Sequence, residues 1–388
     1  MKIHEYQAKQ ILKEYNIKIP KGAIVDNVNI GNLEEIINKL EFSNIIIKAQ
    51  IHSGGRGLAG GIKTAKSKLE AIKITKDMIG QNLITKQNGP TGEIVKNIYL
   101  EEEIIPIQEI YLSFILDRVN NCISILYSKT GGMHIEDSNN TQLMRINSII
   151  GICDFHVNII LNELGLDYIF FSQLKNILIN LYNLMLKEDA SLIEINPLII
   201  TNENELIALD AKMQFDENAL YRNKRLQEIS AAQELDATLK KAKDANLNFI
   251  PLNGEIACIV NGAGLAMATN DLIKLYGEKH NKEAANFLDL GGGATENNIK
   301  VAFEIISSYS NITKILINIF GGIVKCDLIA NGLLNAIEHL NIKIPIVARL
   351  EGTNSQIAKE ILQNAKIQNN IKIEFANSLE EAAKLAIE

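Results

Sequence analysis

Cysteine is scarce in this 388-residue chain, and the four present, Cys122, Cys153, Cys258 and Cys326, stand far apart without a Cys-x-x-Cys spacing. That argues against a disulfide framework and against a zinc site, and it leaves buried thiols in a reducing compartment as the expectation. Long apolar runs are missing too. No stretch approaches the roughly 20 residues that a bilayer-spanning helix needs. Nor is there an excess of positive charge: 39 Lys and Arg against 46 Asp and Glu leave a net charge of −7. A nucleic-acid partner is therefore not expected, since gripping a phosphate backbone requires a basic face. The opening Met1-Lys2-Ile3-His4-Glu5-Tyr6 has an early acid and no apolar stretch, so neither a secretory signal nor a typical transit peptide is expected. What is present is a globular composition, 47% hydrophobic and 22% charged, in a chain long enough for two or three domains. Small molecules and proteins are the expected partners.

From Glu255 onward, short β-branched runs at 256–260, 285–289, 315–319, 344–348 and 371–375 alternate with helical patterns. Such alternation predicts a parallel sheet with crossover helices. Each of the first four runs leads at once into a turn: Asn261-Gly262-Ala263-Gly264, Gly291-Gly292-Gly293, Gly321-Gly322 and Glu351-Gly352-Thr353-Asn354. One glycine turn is explained by backbone freedom alone. Four on the carboxyl edge of one sheet, where open α/β folds bind ligands, favour a ligand site. The third turn is expected to open a helix from about Val324, whose free N–H groups would face an anion.

The first half is mixed. Residues 5–15 and 33–40 read as helices, and Ile45-Ile46-Ile47-Lys48 reads as a strand leading into Ser53-Gly54-Gly55-Arg56-Gly57-Leu58-Ala59-Gly60-Gly61. Five glycines in nine residues cannot hold a helix, and they let backbone N–H groups come close to a ligand. The spacing matches neither the P-loop nor the dinucleotide fingerprint, so a phosphate-covering loop and a plain hairpin stand level. Lys48, a cation at the end of an apolar strand, tips the balance toward phosphate. Between Asp216 and Ala245 a charged stretch that includes Lys240, Lys241 and Lys243 reads as a solvated linker helix, placing domains at 1–237 and 238–388.

Two strand-like runs, Leu192 to Ile200 and Glu205 to Lys212, flank a turn at 201–204. If the turn centres on Glu203, Asn196 opposes Asp210 and Glu194 opposes Lys212. One face then holds Ile193, Ile195, Pro197, Ile199, Ile207, Leu209, Ala211 and Met213, without a polar residue. The other gathers Glu194, Asn196, Asp210 and Lys212. Rigidly held oxygens suit magnesium, which takes one or two protein ligands and completes its shell with water and phosphate. Asn196 and Asp210 are the ligand candidates. A solvated Glu194–Lys212 ion pair accounts for that pair alone.

Taken together, His4-Glu5-Tyr6-Gln7-Ala8-Lys9, Gly54-Gly55-Arg56-Gly57, Glu194-Ile195-Asn196-Pro197-Leu198, Asn261-Gly262-Ala263-Gly264-Leu265-Ala266-Met267, Asn286-Phe287-Leu288-Asp289 with Gly291-Gly292-Gly293, and Asn318-Ile319-Phe320-Gly321-Gly322-Ile323-Val324 resemble the β subunits of succinate–CoA ligases along nearly the whole chain. The resemblance implies an α/β fold: an ATP-grasp half in two subdomains, then a flavodoxin-like CoA-ligase half. It implies a ligase that interconverts succinate, CoA and a nucleoside triphosphate with succinyl-CoA, the diphosphate and phosphate, a step of the tricarboxylic acid cycle. Lys48, Gly55, Arg56 and Gly57 would contact nucleotide phosphates, while Glu101, the backbone near Ile104, and Glu109 would line the adenine and ribose pocket. Asn196 and Asp210 would hold Mg²⁺. Asn261, Gly322, Ile323 and Val324 would meet the substrate side. Glu194 would orient a phosphohistidine that belongs to a separate α subunit, in an αβ or α2β2 assembly in the cytoplasm, or in the mitochondrial matrix if a transit peptide was removed. ATP/ADP or GTP/GDP would serve as nucleotide, with CoA bound mainly by the partner.

None of this chain's six histidines is a catalytic candidate. His52 would support the loop; His4, His280 and His339 read as ordinary helix or surface positions. His134 and His156 lie in a divergent stretch. Departures from the family pattern fall at Leu58, where a lysine is often found, and through 128–136 and 137–164. A ligase acting on malate, a catalytically silent scaffold subunit and a self-contained ATP-grasp ligase share parts of this pattern.

Overall fold

The computed structural model describes residues 1–41, 44–89, 92–132, 141–232, 237–321, 325–340, 342–369 and 372–388. The chain forms two compact units, Met1–Ala232 and Gln233–Glu388. The charged stretch expected as a linker helix contains two helices, Lys224–Ala232 and Ala237–Asp244, that join different cores. Leu226 of Lys224–Ala232 is buried in the first unit's core, and Ala242 of Ala237–Asp244 in the second's. Among the described residues no helix is long and apolar enough to cross a membrane.

In the first unit, the strands Gly22–Asp26, Asn97–Glu102, Ile45–Gln50 and Ile62–Ala65 lie side by side in that order. The helices Leu33–Leu40 and Lys68–Met78 cover this sheet with Leu33, Ile37, Ala71 and Met78. A second sheet has the order Leu206–Ala208, Ala190–Ile200, Gln108–Asp117, Cys122–Ser128, Gln142–Ile146, and Ala211–Phe215 also pairs with Ala190–Ile200. Its core face meets the helices Asp154–Leu164 and Phe171–Lys187, whose apolar residues recur every three or four positions: Val157, Ile160, Leu161 and Leu164, then Leu174, Ile177, Leu178 and Leu181.

In the second unit the sheet order is Asn248–Pro251, Asn286–Asp289, Ile256–Val260, Lys314–Gly321, Ile346–Gly352, Ile373–Phe375. Its last five strands are parallel and follow the 2-1-3-4-5 order of the flavodoxin-like fold. Every residue of Ile256–Val260 is buried, as in a sheet covered on both faces. Strand alternation splits them: Ile256, Cys258 and Val260 pack with Ile273 and Ala382, while Ala257 and Ile259 pack with Phe303 and Ile329. The edge strand Asn248–Pro251 runs antiparallel to Asn286–Asp289 and was not expected. It adjoins the charged stretch and ends in proline, a residue that strands tolerate at edges.

Phe303 is fully buried, whereas Leu275 is 62% exposed. Phe303→Ala is expected to cost the second unit about 3–5 kcal/mol, and Leu275→Ala no more than about 0.5 kcal/mol, in urea unfolding of the full chain. Equal effects would contradict this placement of the core.

Candidate functional site

The amino-terminal helix Glu5–Glu14 buries Glu5, Ala8, Lys9, Ile11 and Leu12. Ala8, Ile11 and Leu12 form the apolar stripe that an amphipathic helix turns to its core. Glu5 and Lys9, one turn apart, are charged residues set into that same stripe. They face Lys48, which leaves the middle of the strand Ile45–Gln50 and not its end. On the neighbouring strand, the register Ile46 opposite Glu101 and Lys48 opposite Tyr99 puts Glu101 diagonal to Lys48 on one face.

The six charges form one connected set. Glu5 Oε1 lies 3.0 Å from Lys9 Nζ and 2.9 Å from Lys48 Nζ, and Glu5 Oε2 lies 2.7 Å from Arg56 Nη2. Glu101 pairs with Lys48 at 2.7 Å and also with Lys9. Arg56 Nη2 reaches Asp210 Oδ2 at 3.0 Å, and its Nη1 donates to the Ala49 carbonyl at 3.0 Å. Lys48 also donates to the Leu209 carbonyl at 3.0 Å. Three cations thus balance three carboxylates in a site where an unpaired charge would be costly.

The proton affinities follow from this geometry. Burial pushes the Glu5 carboxyl up, but Lys48, Lys9 and Arg56 overcome it and hold the group well below its ordinary 4.5. Glu101 moves the other way, raised by burial, and so does Asp210, raised by burial and by the charge of Glu5. Burial and the neighbouring Lys48 charge lower Lys9. For Lys48 and Arg56 burial acts downward, yet the carboxylates around them win and both are raised. Asp210 is the least buried carboxylate of the set: its side chain keeps 30% exposure, against 2% for Glu5 and 1% for Glu101.

The carboxylate hairpin pairs as its sequence predicts, Glu194 with Lys212, Ile195 with Ala211 and Leu198 with Ala208. The Asn196 backbone N–H donates to the Asp210 carbonyl at 3.2 Å. The Asn196 side chain clasps Gly132, accepting from its N–H at 2.6 Å and donating to its carbonyl at 3.2 Å. One part of the expected face needs correction. Ile193, Ile195, Ala211 and Met213 do enter the main core, but beyond Asn196-Pro197 it is Leu198, Ile200, Leu206 and Ala208 that enter it, in place of Ile199 and Ile207. The physical reason is a register shift against Gln108–Asp117 between Ile195 and Leu198, which exchanges the inward and outward parity.

As donors, Asn196 and Asp210 fit magnesium. Asp210 offers a partly exposed carboxylate, and the Asn196 amide oxygen has a second lone pair besides the one turned to Gly132. Glu194 is half-buried, with Oε2 4.0 Å from Lys212 Nζ. The glycine-rich loop is the connection of a β-hairpin between Ile45–Gln50 and Ile62–Ala65, closed by Gly61 N–H to Arg56 O at 2.8 Å and Ala49 N–H to Gly61 O at 2.8 Å. Gly55, at φ +75°, adopts the left-handed backbone that favours glycine. Gly55, Gly57 and Leu58 are exposed, while Arg56 is turned inward to the charge set. Glu109 is exposed and its carbonyl accepts from Gly131 N–H at 3.1 Å; Ile104 is half-buried. The Glu101 carboxylate, by contrast, faces the charge set.

His4 is not an ordinary surface position. Its ring stacks on His52 with centroids 4.1 Å apart, and burial, His52 and Arg56 push its pKa down to about 3. In the second unit the Asn261 side chain holds the end of the adjacent strand, donating to the Phe320 carbonyl at 3.0 Å and accepting from its N–H at 2.9 Å. Gly322, Ile323 and Val324 lie outside the described residues, as does His134, and the helix that follows begins at Cys326. Sequence reasoning missed Glu5 and Lys9. The signal was there: an acid and a base one turn apart, interrupting an otherwise apolar stripe.

Comparison with known proteins adds the following. The family described as ATP-grasp domain matches residues 2–200, and the family described as CoA-ligase matches residues 259–388. The chain is 45% identical to the succinate–CoA ligase [ADP-forming] subunit beta of Orientia tsutsugamushi (strain Ikeda), covering 100% of this chain and 99% of that protein. It is 44% identical to the protein of the same name from Campylobacter curvus (strain 525.92), covering 100% and 98%, and 43% identical to that of Rickettsia prowazekii (strain Madrid E), covering 100% and 99%. Among solved structures, ATP citrate lyase from Methanothrix soehngenii in complex with citrate and coenzyme A superposes with a TM-score of 0.76 at 17% identity, covering 100% of this chain and 99% of that one. At that identity the likeness is one of fold.

The charge set yields a pH-dependent prediction. A carboxyl held below its ordinary 4.5 stabilises the fold above that value, and the contribution is lost as pH falls through the lowered one. Glu5→Gln is therefore expected to cost about 3–5 kcal/mol near pH 7, with the deficit shrinking as the pH is taken below 4.5. Urea unfolding at several pH values measures it; a deficit independent of pH would remove the ionic account of Glu5.

Proposed function

The chain belongs to the family of succinate–CoA ligase β subunits, and from that membership we propose that its first unit holds a magnesium nucleotide whose terminal phosphoryl group passes to a histidine of a separate α subunit. The reaction is the ADP-forming interconversion of succinate, CoA and ATP with succinyl-CoA, ADP and phosphate, carried out as an αβ or α2β2 complex in the cytoplasm. The observation that carries this reading is the convergence of Lys48, Arg56 and Asp210 in one ionic set whose least buried member is Asp210.

Phosphoryl transfer asks a protein for alignment and charge neutralisation more than for a nucleophile of its own. Lys48 and Arg56 are the cations for the phosphate oxygens, and both are kept protonated by the carboxylates beside them. The loop carrying Gly55 and Gly57 offers backbone N–H groups without a Cβ in the way. Asn196 and Asp210 would hold the magnesium ion, which supplies neutralisation of the phosphate charge when bound. Glu109 and the backbone near Ile104 line the base and ribose, with the Glu101 carboxylate acting from below on Lys48. Transfer forms an N–P bond on the partner's imidazole as the terminal O–P bond of the nucleotide breaks, with ADP as leaving group. Glu194 orients that imidazole. The second unit contributes Asn261, Gly322, Ile323 and Val324 to the substrate side, and CoA is held mainly by the α subunit.

Asp210→Ala is expected to abolish magnesium-nucleotide binding by the full complex while leaving the fold intact, because the side chain sits at the open end of the set. Titration calorimetry with magnesium ADP checks this; unchanged affinity rules out the role given to Asp210.

A further inference from the structure

Glu5 touches all three cations of the buried set, at 3.0 Å from Lys9, 2.9 Å from Lys48 and 2.7 Å from Arg56. No other carboxylate in the set does: Glu101 meets Lys9 and Lys48, and Asp210 meets Arg56. Its side chain is only 2% exposed, so it is not itself open to a ligand. Its place is guaranteed by the helix that carries it, through Ala8, Ile11 and Leu12 in the main core and the helix-start bond from His4 N–H to Gln7 at 3.0 Å.

We infer that Glu5 is a positioning residue for nucleotide binding: it holds the Lys48 ammonium and the Arg56 guanidinium side by side, so that both stand ready for phosphate oxygens. The inference rests on the nucleotide site proposed above and goes beyond it by assigning a role to a residue that touches neither phosphate nor metal. Two opposed effects decide its sign. A carboxylate neutralises part of the cationic charge that attracts phosphate, which weakens binding. It also freezes two long, flexible side chains whose ordering would otherwise oppose binding. Inside the set, Lys48 is also held by Glu101 and Arg56 also by Asp210, so the cations stay largely neutralised whether or not Glu5 is charged. What Glu5 alone supplies is the bridge between the two cations. Ordering should therefore win, and removing Glu5 should weaken binding.

Lys9 makes a clean test available. It is fully buried and sits behind Glu5 and Glu101. In the double variant Glu5→Gln/Lys9→Met one charge of each sign is removed, and methionine fills the volume of the lysine stem. Stability is then expected to recover relative to Glu5→Gln alone. The probe is magnesium ADP, titrated against the full chain in complex with its α subunit. Wild-type binding is the control: if the wild type fails to bind, the nucleotide site itself is wrong, whatever Glu5 does. With wild-type binding present, the double variant is expected to bind about tenfold or more weakly although its stability has returned. Affinity within about twofold of wild type would overturn the positioning role and leave Glu5 a purely structural residue. Should the double variant not fold, Glu5→Asp serves, since it keeps the charge and shortens the reach by one methylene. Weakened binding of magnesium ADP with the charge retained supports positioning, and unchanged binding overturns it.

Discussion

One carboxylate lies within 3.0 Å of three cations that belong to a helix, a strand and a loop. Glu5 cannot be left unpaired, nor can Lys9 or Lys48, because burial makes an isolated charge expensive. The amino-terminal helix, the sheet strand carrying Lys48, the glycine-rich hairpin carrying Arg56 and the carboxylate hairpin carrying Asp210 are therefore bound to one arrangement. The electrostatics that specify this part of the fold also keep Lys48 and Arg56 protonated, the two cations proposed above for phosphate. Lys48, Arg56 and Asp210 thus serve both this arrangement and the proposed function.

Asp210 links that interior to the carboxylate hairpin. Its carboxylate meets Arg56 and its backbone carbonyl meets Asn196. Asn196 in turn clasps Gly132 through both amide atoms. The hairpin thus presents its oxygens from a place fixed by backbone pairing and not by flexible side chains. The second unit is built on a parallel sheet, the architecture whose carboxyl ends commonly carry ligand-binding turns. There Asn261 ties the ends of two neighbouring strands at the point where the strand order reverses.

How much of this was legible beforehand depended on whether the relevant interaction was local. The five parallel strands after Glu255 were readable, because continuous β-branched runs and glycine turns repeat at regular spacing; their flavodoxin-like order was implied by the family resemblance. The hairpin register was readable because a single turn centre determines every pair along it. The exchange of core faces beyond Asn196-Pro197 was not, since it arises from pairing with Gln108–Asp117, some 80 positions earlier in the chain. The edge strand Asn248–Pro251 lacked a strand-like composition and owes its state to Asn286–Asp289. Glu5 and Lys9 passed as ordinary helix charges. Their place in the apolar stripe hinted at an inward face, and Lys48 and Glu101, brought alongside by the sheet, supply the partners that the local sequence does not show. Which core each helix of the charged stretch joins is likewise decided by Leu226 and Ala242 finding their partners, not by the charges between them.

The most direct test of the central claim is a crystal structure of the chain with its α subunit and magnesium ADP bound. Phosphate oxygens within hydrogen-bonding distance of Lys48 and Arg56, with a cation between the phosphates and Asp210, are expected. Nucleotide density elsewhere, with Lys48 and Arg56 still turned wholly to their carboxylates and Asn196 and Asp210 lacking a shared cation, would contradict it.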